Sequence, residues 1–226
     1  MAQGQTHPNR PYELIAHRAG NTVADLTRVE DISDIVEVDV HLRRGRPEVR
    51  HGKILWPTNR LWERWHLLPR DSEVPLLDEI LSSVAADRHL WLDLKGMDRR
   101  LARAVSPLLS ERPLTTVSSK AWWMLYELEG LEGVRRFRSA GNRFERFVLR
   151  WLPLGRRIDG VVVNERLLDE KWIAWFGATT GLVSTWAVKT STRATELVGW
   201  GVRGLIIDSP DLLADLKSGR RPHCLD

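Results

Sequence analysis

Eight short runs of β-branched and apolar residues recur along the chain, and this recurrence restricts the fold more than any other feature. They are Tyr12–Ala16, Ile35–Val40, Leu90–Leu94, Thr115–Ser118, Val134–Phe137, Asp159–Val163, Gly181–Val188 and Gly204–Ile207. Between them, Pro75–Ala86, Asp98–Leu109, Lys120–Glu129, Leu167–Phe176 and Ser191–Trp200 carry apolar residues at i, i+3, i+4 spacing, the period of a helix with one buried face. Strands that alternate with helices pair in parallel, and eight such units close on themselves. The reading is α/β: a single-domain (β/α)8 TIM barrel over 12–217, with tails at 1–11 and 218–226. A doubly wound open sheet competes, but no GxGxxG opens a helix after the first strand.

The chain's 226 residues suit one core rather than two domains. Hydrophobic and charged contents of 42% and 28% are ordinary for a folded protein and argue against wholesale disorder. No apolar run reaches the roughly 18 residues of a membrane span, and the first residues lack a signal-peptide pattern. With Cys224 as the sole cysteine there is no disulfide framework, so a reducing, cytoplasmic setting is expected. A net charge of +4 favours an anionic partner. No recognised nucleic-acid motif accompanies it, so nucleic acid is not expected as a partner. Eleven tryptophans against two tyrosines suit a pocket rim or a membrane interface as well as a core.

In a barrel of this kind, chemistry collects at the C-terminal ends of the strands. The first run ends in His17-Arg18. The second carries Glu37 and Asp39, two apart and therefore on one face, with His51 in the loop that follows. The third carries Asp93 and, again two apart, Lys95. Inward acids are costly to bury unless a cation neutralises them. Three carboxylates from adjacent strand ends form an oxygen-only donor set suited to Mg²⁺ or Ca²⁺, and two nearby histidines suit general acid–base work.

The segments IAHRAGNT, VEVDV, RRGRPEVRHGKIL, PLLDEIL, LWLDLKG, STWAVKT and GWGVRGLIIDSPDLL, in this order, resemble the successive signatures of the glycerophosphodiester phosphodiesterase family from about Leu14 to Leu213. The resemblance implies a (β/α)8 barrel that cleaves phosphodiesters. It implies that His17 and His51 are the acid–base pair and that Glu37, Asp39 and Asp93 hold one divalent cation. It further implies that Arg18 and Lys95 neutralise the phosphate and that Trp186 forms part of the substrate wall. The expected substrate is a small-molecule phosphodiester, a glycerophosphodiester or related lipid-derived diester.

The chain also departs from the family pattern. Asp93 stands where Glu is usual, Gly52 follows His51 where Asp is usual, and Lys189 replaces Asn. Ser118-Ser119-Lys120 stands where Ser-Phe is common. The loop after His17 and the segment between His51 and Pro75 are short, and the latter carries Trp56, Trp62 and Trp65. These changes fall on the rim of the site and leave its core composition intact. Two other readings stay open: a lyase of the sphingomyelinase D and phospholipase D type that stops at a cyclic phosphate, and a barrel that binds without turnover.

One segment lies outside this pattern. Arg135–Arg157 holds eight arginines and a single acid, Glu145. Within it Phe144, Phe147, Val148, Trp151 and Leu152 follow helical spacing opposite a basic face. Leu152-Pro153 is expected to end this helix and Gly155 to turn the chain back. Its apolar face is covered either by the barrel wall or, in a peripheral contact, by a membrane.

Overall fold

The computed structural model describes residues 10–55, 60–63, 66–69, 74–151 and 158–219. Eight parallel strands form its centre: β1 (Glu13–Ala16), β2 (Ile35–Arg43), β3 (Leu90–Leu94), β4 (Thr115–Ser119), β5 (Val134–Ala140), β6 (Gly160–Asn164), β7 (Leu182–Val188) and β8 (Gly204–Ile207). Each pairs with its neighbour in sequence, and β1 pairs with both β2 and β8, so the sheet closes. The barrel expected from the strand count is present.

Side-chain alternation divides each strand between the two sides of this wall. The inner layer is Ile15, Ile35, Trp91, Phe137, Val162 and Ile206, all nearly inaccessible to solvent. The Trp91 and Phe137 rings meet at 4.9 Å between centroids. Space for them comes from Gly160, where a Cβ would lie 2.5 Å from the Phe137 ring and 2.6 Å from the Leu182 carbonyl oxygen. Truncating either aromatic is expected to cost about 3–5 kcal/mol. The outer side of the wall is packed by α1 (Val23–Val29), α2 (Leu77–Ser82), α3 (Arg99–Ser110), α4 (Arg143–Trp151), α5 (Glu170–Thr180), α6 (Ser191–Gly199) and α7 (Pro210–Lys217). Thr22, Asp98, Asp169, Thr190 and Ser209 cap five of these helices by accepting first-turn N–H groups.

Two expectations from the sequence are corrected. The Lys120–Glu129 segment is a 3₁₀ turn over Trp122–Leu128, with Met124, Leu125 and Leu128 buried. The basic segment is split between two elements. Arg135, Arg136 and Arg138 belong to β5, which runs to Ala140, and the helix begins only at Arg143. The arginines mask the strand because their stems cover apolar surface while their heads find partners, as when Arg138 donates to the Tyr126 hydroxyl at 2.7 Å. Leu152, Pro153 and Gly155 lie outside the described residues.

One excursion leaves the barrel. β2 extends past the wall and pairs antiparallel with Arg46–Val49 across a turn in which Arg44 and Gly45 both take positive φ. Lys53–Leu55, Arg60–Glu63 and His66–Leu68 then form a separate antiparallel sheet. Trp56 and Trp65, expected at the rim, lie outside the described residues, as does Cys224. No described helix is long and apolar enough to cross a membrane.

Candidate active site at the mouth of the barrel

The inner positions of β2 read Ile35, Glu37, Asp39 from floor to mouth, so the same alternation that seals the core delivers two acids above it. Parallel register sets Asp39 beside Asp93 on β3, and Asp93 beside Ser118 on β4. Glu37, Asp39 and Asp93 each offer a carboxylate oxygen within 4.8 Å of the others. Asp93 reaches the group despite lacking the methylene of Glu. Its Oδ1 accepts from Ser118 Oγ at 2.8 Å, and Ser118 in turn accepts from Trp91 Nε1 at 2.9 Å. This chain fixes the shorter side chain.

Glu37 and Asp39 are buried, and their environments diverge. Burial, reinforced by the charge of Asp39, pushes the Glu37 carboxyl well above its ordinary range. Asp39 is equally enclosed, yet Lys95 and Asn21 more than offset the burial and hold it below the ordinary value. Lys95 Nζ lies 2.7 Å from Asp39 Oδ1 and also bonds Asp93. Burial opposes its charge, but Asp93, Asp39 and Glu37 prevail and keep it protonated. Arg18 Nε lies 3.5 Å from Asp39, and a cation added among the three acids would relieve the burial and repulsion that hold Glu37 up. An oxygen-only set of this kind fits a hard divalent cation.

The loop after β1 is tied to this acid cluster. Arg18 takes a left-handed conformation at φ 56°, held by its N–H donating to Glu37 Oε2 at 2.6 Å. Gly20 packs so closely on β2 that a Cβ would lie 2.3 Å from Val38. That approach lets Asn21 clamp Asp39 twice, donating from Nδ2 at 3.0 Å and accepting the Asp39 N–H at 2.9 Å. The shortened loop therefore keeps its hold on the metal-type acids.

His17 follows β1 and is fixed from behind. Its Nδ1 is 2.5 Å from Asp208 Oδ1, at the end of β8. A carboxylate only accepts, so Nδ1 carries the hydrogen and Nε2 is left for the cavity that His17 lines. The bond from His17 is also what lowers the Asp208 carboxyl. His51 lines the same cavity, and its charge helps hold Asp39 low.

The cavity holds about 250 Å³ and brings together His17, Arg18, Glu37, His51, Asp93, Lys95 and Trp186. Every residue singled out from the sequence is thus at this mouth, Asp39 lying just beneath it. Four further contributors were not foreseen as site residues. Asp208 continues the inner row of Gly204 and Ile206, so strand parity could have shown it. Ser118 on β4 and Lys120 just past its end share the inner parity, and Lys120 Nζ stands 5.9 Å from the Trp186 ring. Asn21 sits in a turn, where no periodic signal marks it.

No family model matches the chain, and no curated protein matches it in sequence. Solved structures do match in shape. A phosphodiesterase from Oleispira antarctica, solved with the product sn-glycerol-3-phosphate, is 19% identical with a TM-score of 0.72, covering 92% of this chain and 96% of its own. The glycerophosphodiester phosphodiesterase of Thermotoga maritima is 18% identical at 0.71, covering 91% and 98%. That of Parabacteroides distasonis is 19% identical at 0.68, covering 93% and 98%. At such identity the likeness is one of fold: this chain shares the (β/α)8 barrel of these phosphodiesterases along nearly its whole length.

Proposed function

We propose that this chain is a divalent-metal-dependent phosphodiester hydrolase acting on a glycerophosphodiester or related lipid-derived diester. The observation that carries the reading is a cluster of three carboxylates, two of them lining a cavity at the C-terminal mouth of the barrel together with two histidines, Arg18 and Lys95. The similarity in shape to phosphodiesterases supports it.

Glu37, Asp39 and Asp93 would hold the cation, Mg²⁺ or Ca²⁺, whose charge stabilises the phosphoryl oxygens as they become more negative. Arg18 and Lys95 place two further cations against the phosphate. His17, backed by Asp208, is suited to take the proton from a substrate hydroxyl adjacent to the diester, because Asp208 stabilises the imidazolium that results. That hydroxyl oxygen attacks phosphorus and the bond to the leaving alcohol breaks. His51 supplies the proton that the departing oxygen needs. Water then opens the cyclic phosphate, with His51 now accepting a proton and His17 returning one. Trp186 gives the substrate an apolar wall.

Phosphorus NMR of glycerophosphodiesters incubated with the protein and Mg²⁺ or Ca²⁺ tests this reading. The expected end product is a linear phosphomonoester. A cyclic phosphate that accumulates and persists would make the chain a lyase, and an unchanged diester with every alcohol and metal would make the barrel a binding module.

A further inference from the structure

In most barrel helices the apolar stripe faces the strands and the charged residues face water. α4 reverses this arrangement. Its nine residues place Phe144, Phe147 and Trp151 in solvent, 75%, 53% and 69% exposed, while Leu149 alone is buried. The Phe147 and Trp151 rings meet each other at 6.0 Å between centroids. At 100° per residue the three aromatics share an arc of about 120° with Arg143 and Arg150. Among the described residues neither arginine has an acidic partner. The helix's one acid, Glu145, turns inward to accept the Gly141 N–H at 2.6 Å. Arg146 also turns inward, its guanidinium 4.2 Å from the centroid of the Trp172 ring, while Arg150, exposed, lies 5.9 Å from the same centroid.

Neighbouring connections expose further apolar side chains. Six of the eight exposed large apolar side chains among the described residues are Met97, Trp123, Tyr126, Phe144, Phe147 and Trp151. They come from the three consecutive connections after β3, β4 and β5. Trp123 leans on Met97 through an N–H donated to its carbonyl at 3.3 Å. The patch also adjoins the cavity, since the backbone at Gly141, three residues before Phe144, packs against Lys120 and Trp186 of its lining.

From this we infer that the α4 face docks on an anionic membrane surface. Contiguous exposed aromatics mark an interaction site. A row of arginines without acidic partners beside them selects a negatively charged occupant, and aromatic rings with a basic flank suit the headgroup boundary. Docked this way, the mouth opens beside the lipid, so the diester is drawn from the membrane. That last clause rests on the phosphodiesterase reading; the docking itself does not.

The test is co-sedimentation of the full chain with phosphatidylcholine vesicles, with and without about one-third phosphatidylglycerol, at low and raised salt. Binding is expected only to the anionic vesicles and should weaken with salt. Phe147→Ser with Trp151→Ser should lower partitioning about tenfold or more, and Arg143→Gln with Arg150→Gln about fivefold per arginine. Both double variants should hydrolyse a soluble glycerophosphodiester at the wild-type rate, which also shows that they fold. Failure to bind at low salt overturns the docking, as does binding that the double variants leave unchanged. A wild-type dimer in sedimentation velocity that Phe147→Ser with Trp151→Ser dissolves also overturns it, because the face then belongs to a second copy. Vesicle binding without any hydrolysis would instead remove the catalytic reading and leave the docking standing.

Discussion

At the N-terminal end of the barrel, Arg135 bonds both oxygens of Glu13 at 3.2 Å and also reaches Thr116 and His89, so an inward arginine, acid and histidine satisfy one another. Nearby, Asp34 collects Arg10, Lys217 and the Leu14 N–H. At the C-terminal mouth the same strands bring three carboxylates within 4.8 Å of one another, crowd Lys95 among them and open a cavity over the group. One end pairs its charges off, whereas the other gathers like charges. Crowding carboxylates costs stability that a bound cation would return, so the contrast points to structure at the first end and, on the proposed reading, to chemistry at the second.

Single substitutions can break that contrast. Replacing His17 or His51 with Ala should reduce turnover by about 10²–10⁴-fold while thermal unfolding shifts little. Steady-state kinetics beside calorimetry checks both halves; near-normal turnover in either variant removes that histidine from the chemistry. The opposite outcome is expected below. Arg135→Met leaves the partly buried Glu13 without its partner and should cost about 1–3 kcal/mol in denaturant unfolding, with kcat of the folded protein unchanged. A large loss of kcat with stability intact would erase the distinction between the ends.

Asp208→Asn sharpens the comparison within the mouth itself. An amide can offer its N–H to His17 and favour the wrong tautomer, so kcat should fall about 10–100-fold. Asp208→Glu should recover part of it, and the acid-side pKa of the rate profile, which reports the general base, should move in the amide variant alone. A purely structural role would leave that profile in place.

The smallest effect concerns pH. Burial, with Arg135 and Arg88 nearby, pushes His89 down to about 3, so the native state keeps it neutral. The unfolded chain takes up that proton below about pH 6.5, and stability is therefore lost as pH falls from there toward 3. His89→Gln should flatten this slope by up to about 1.4 kcal/mol per pH unit. Parallel stability curves for the two proteins would show that His89 does not contribute.

How much of this was legible in the sequence follows from which features are periodic. The eight strands and the inner acids announce themselves through alternation, because burial on one side of a wall is a period-two constraint. β5 was partly hidden, since Arg135, Arg136 and Arg138 keep their charged heads paired while their stems fill space. The 3₁₀ turn over Trp122–Leu128 reads as an α-helix because three buried apolar residues fit either period. Asn21 was invisible, as its clamp on Asp39 depends on how closely Gly20 lets the turn approach β2. The orientation of α4 was undecided as well: a pattern shows that a helix has an apolar face but not what covers it.

In the proposed function, Glu37, Asp39 and Asp93 form a cation site on which phosphodiester cleavage depends. The most direct measurement follows release of the alcohol from a glycerophosphodiester after chelation and again after adding back Mg²⁺ or Ca²⁺, for wild type and for Glu37→Gln, Asp39→Asn and Asp93→Asn. Chelation should abolish turnover, one of the two ions should restore it to the wild type, and no variant should recover at the same ion concentration. Full turnover in the chelated wild type, or restoration in all three variants as complete as in wild type, would rule out a cation site on these carboxylates.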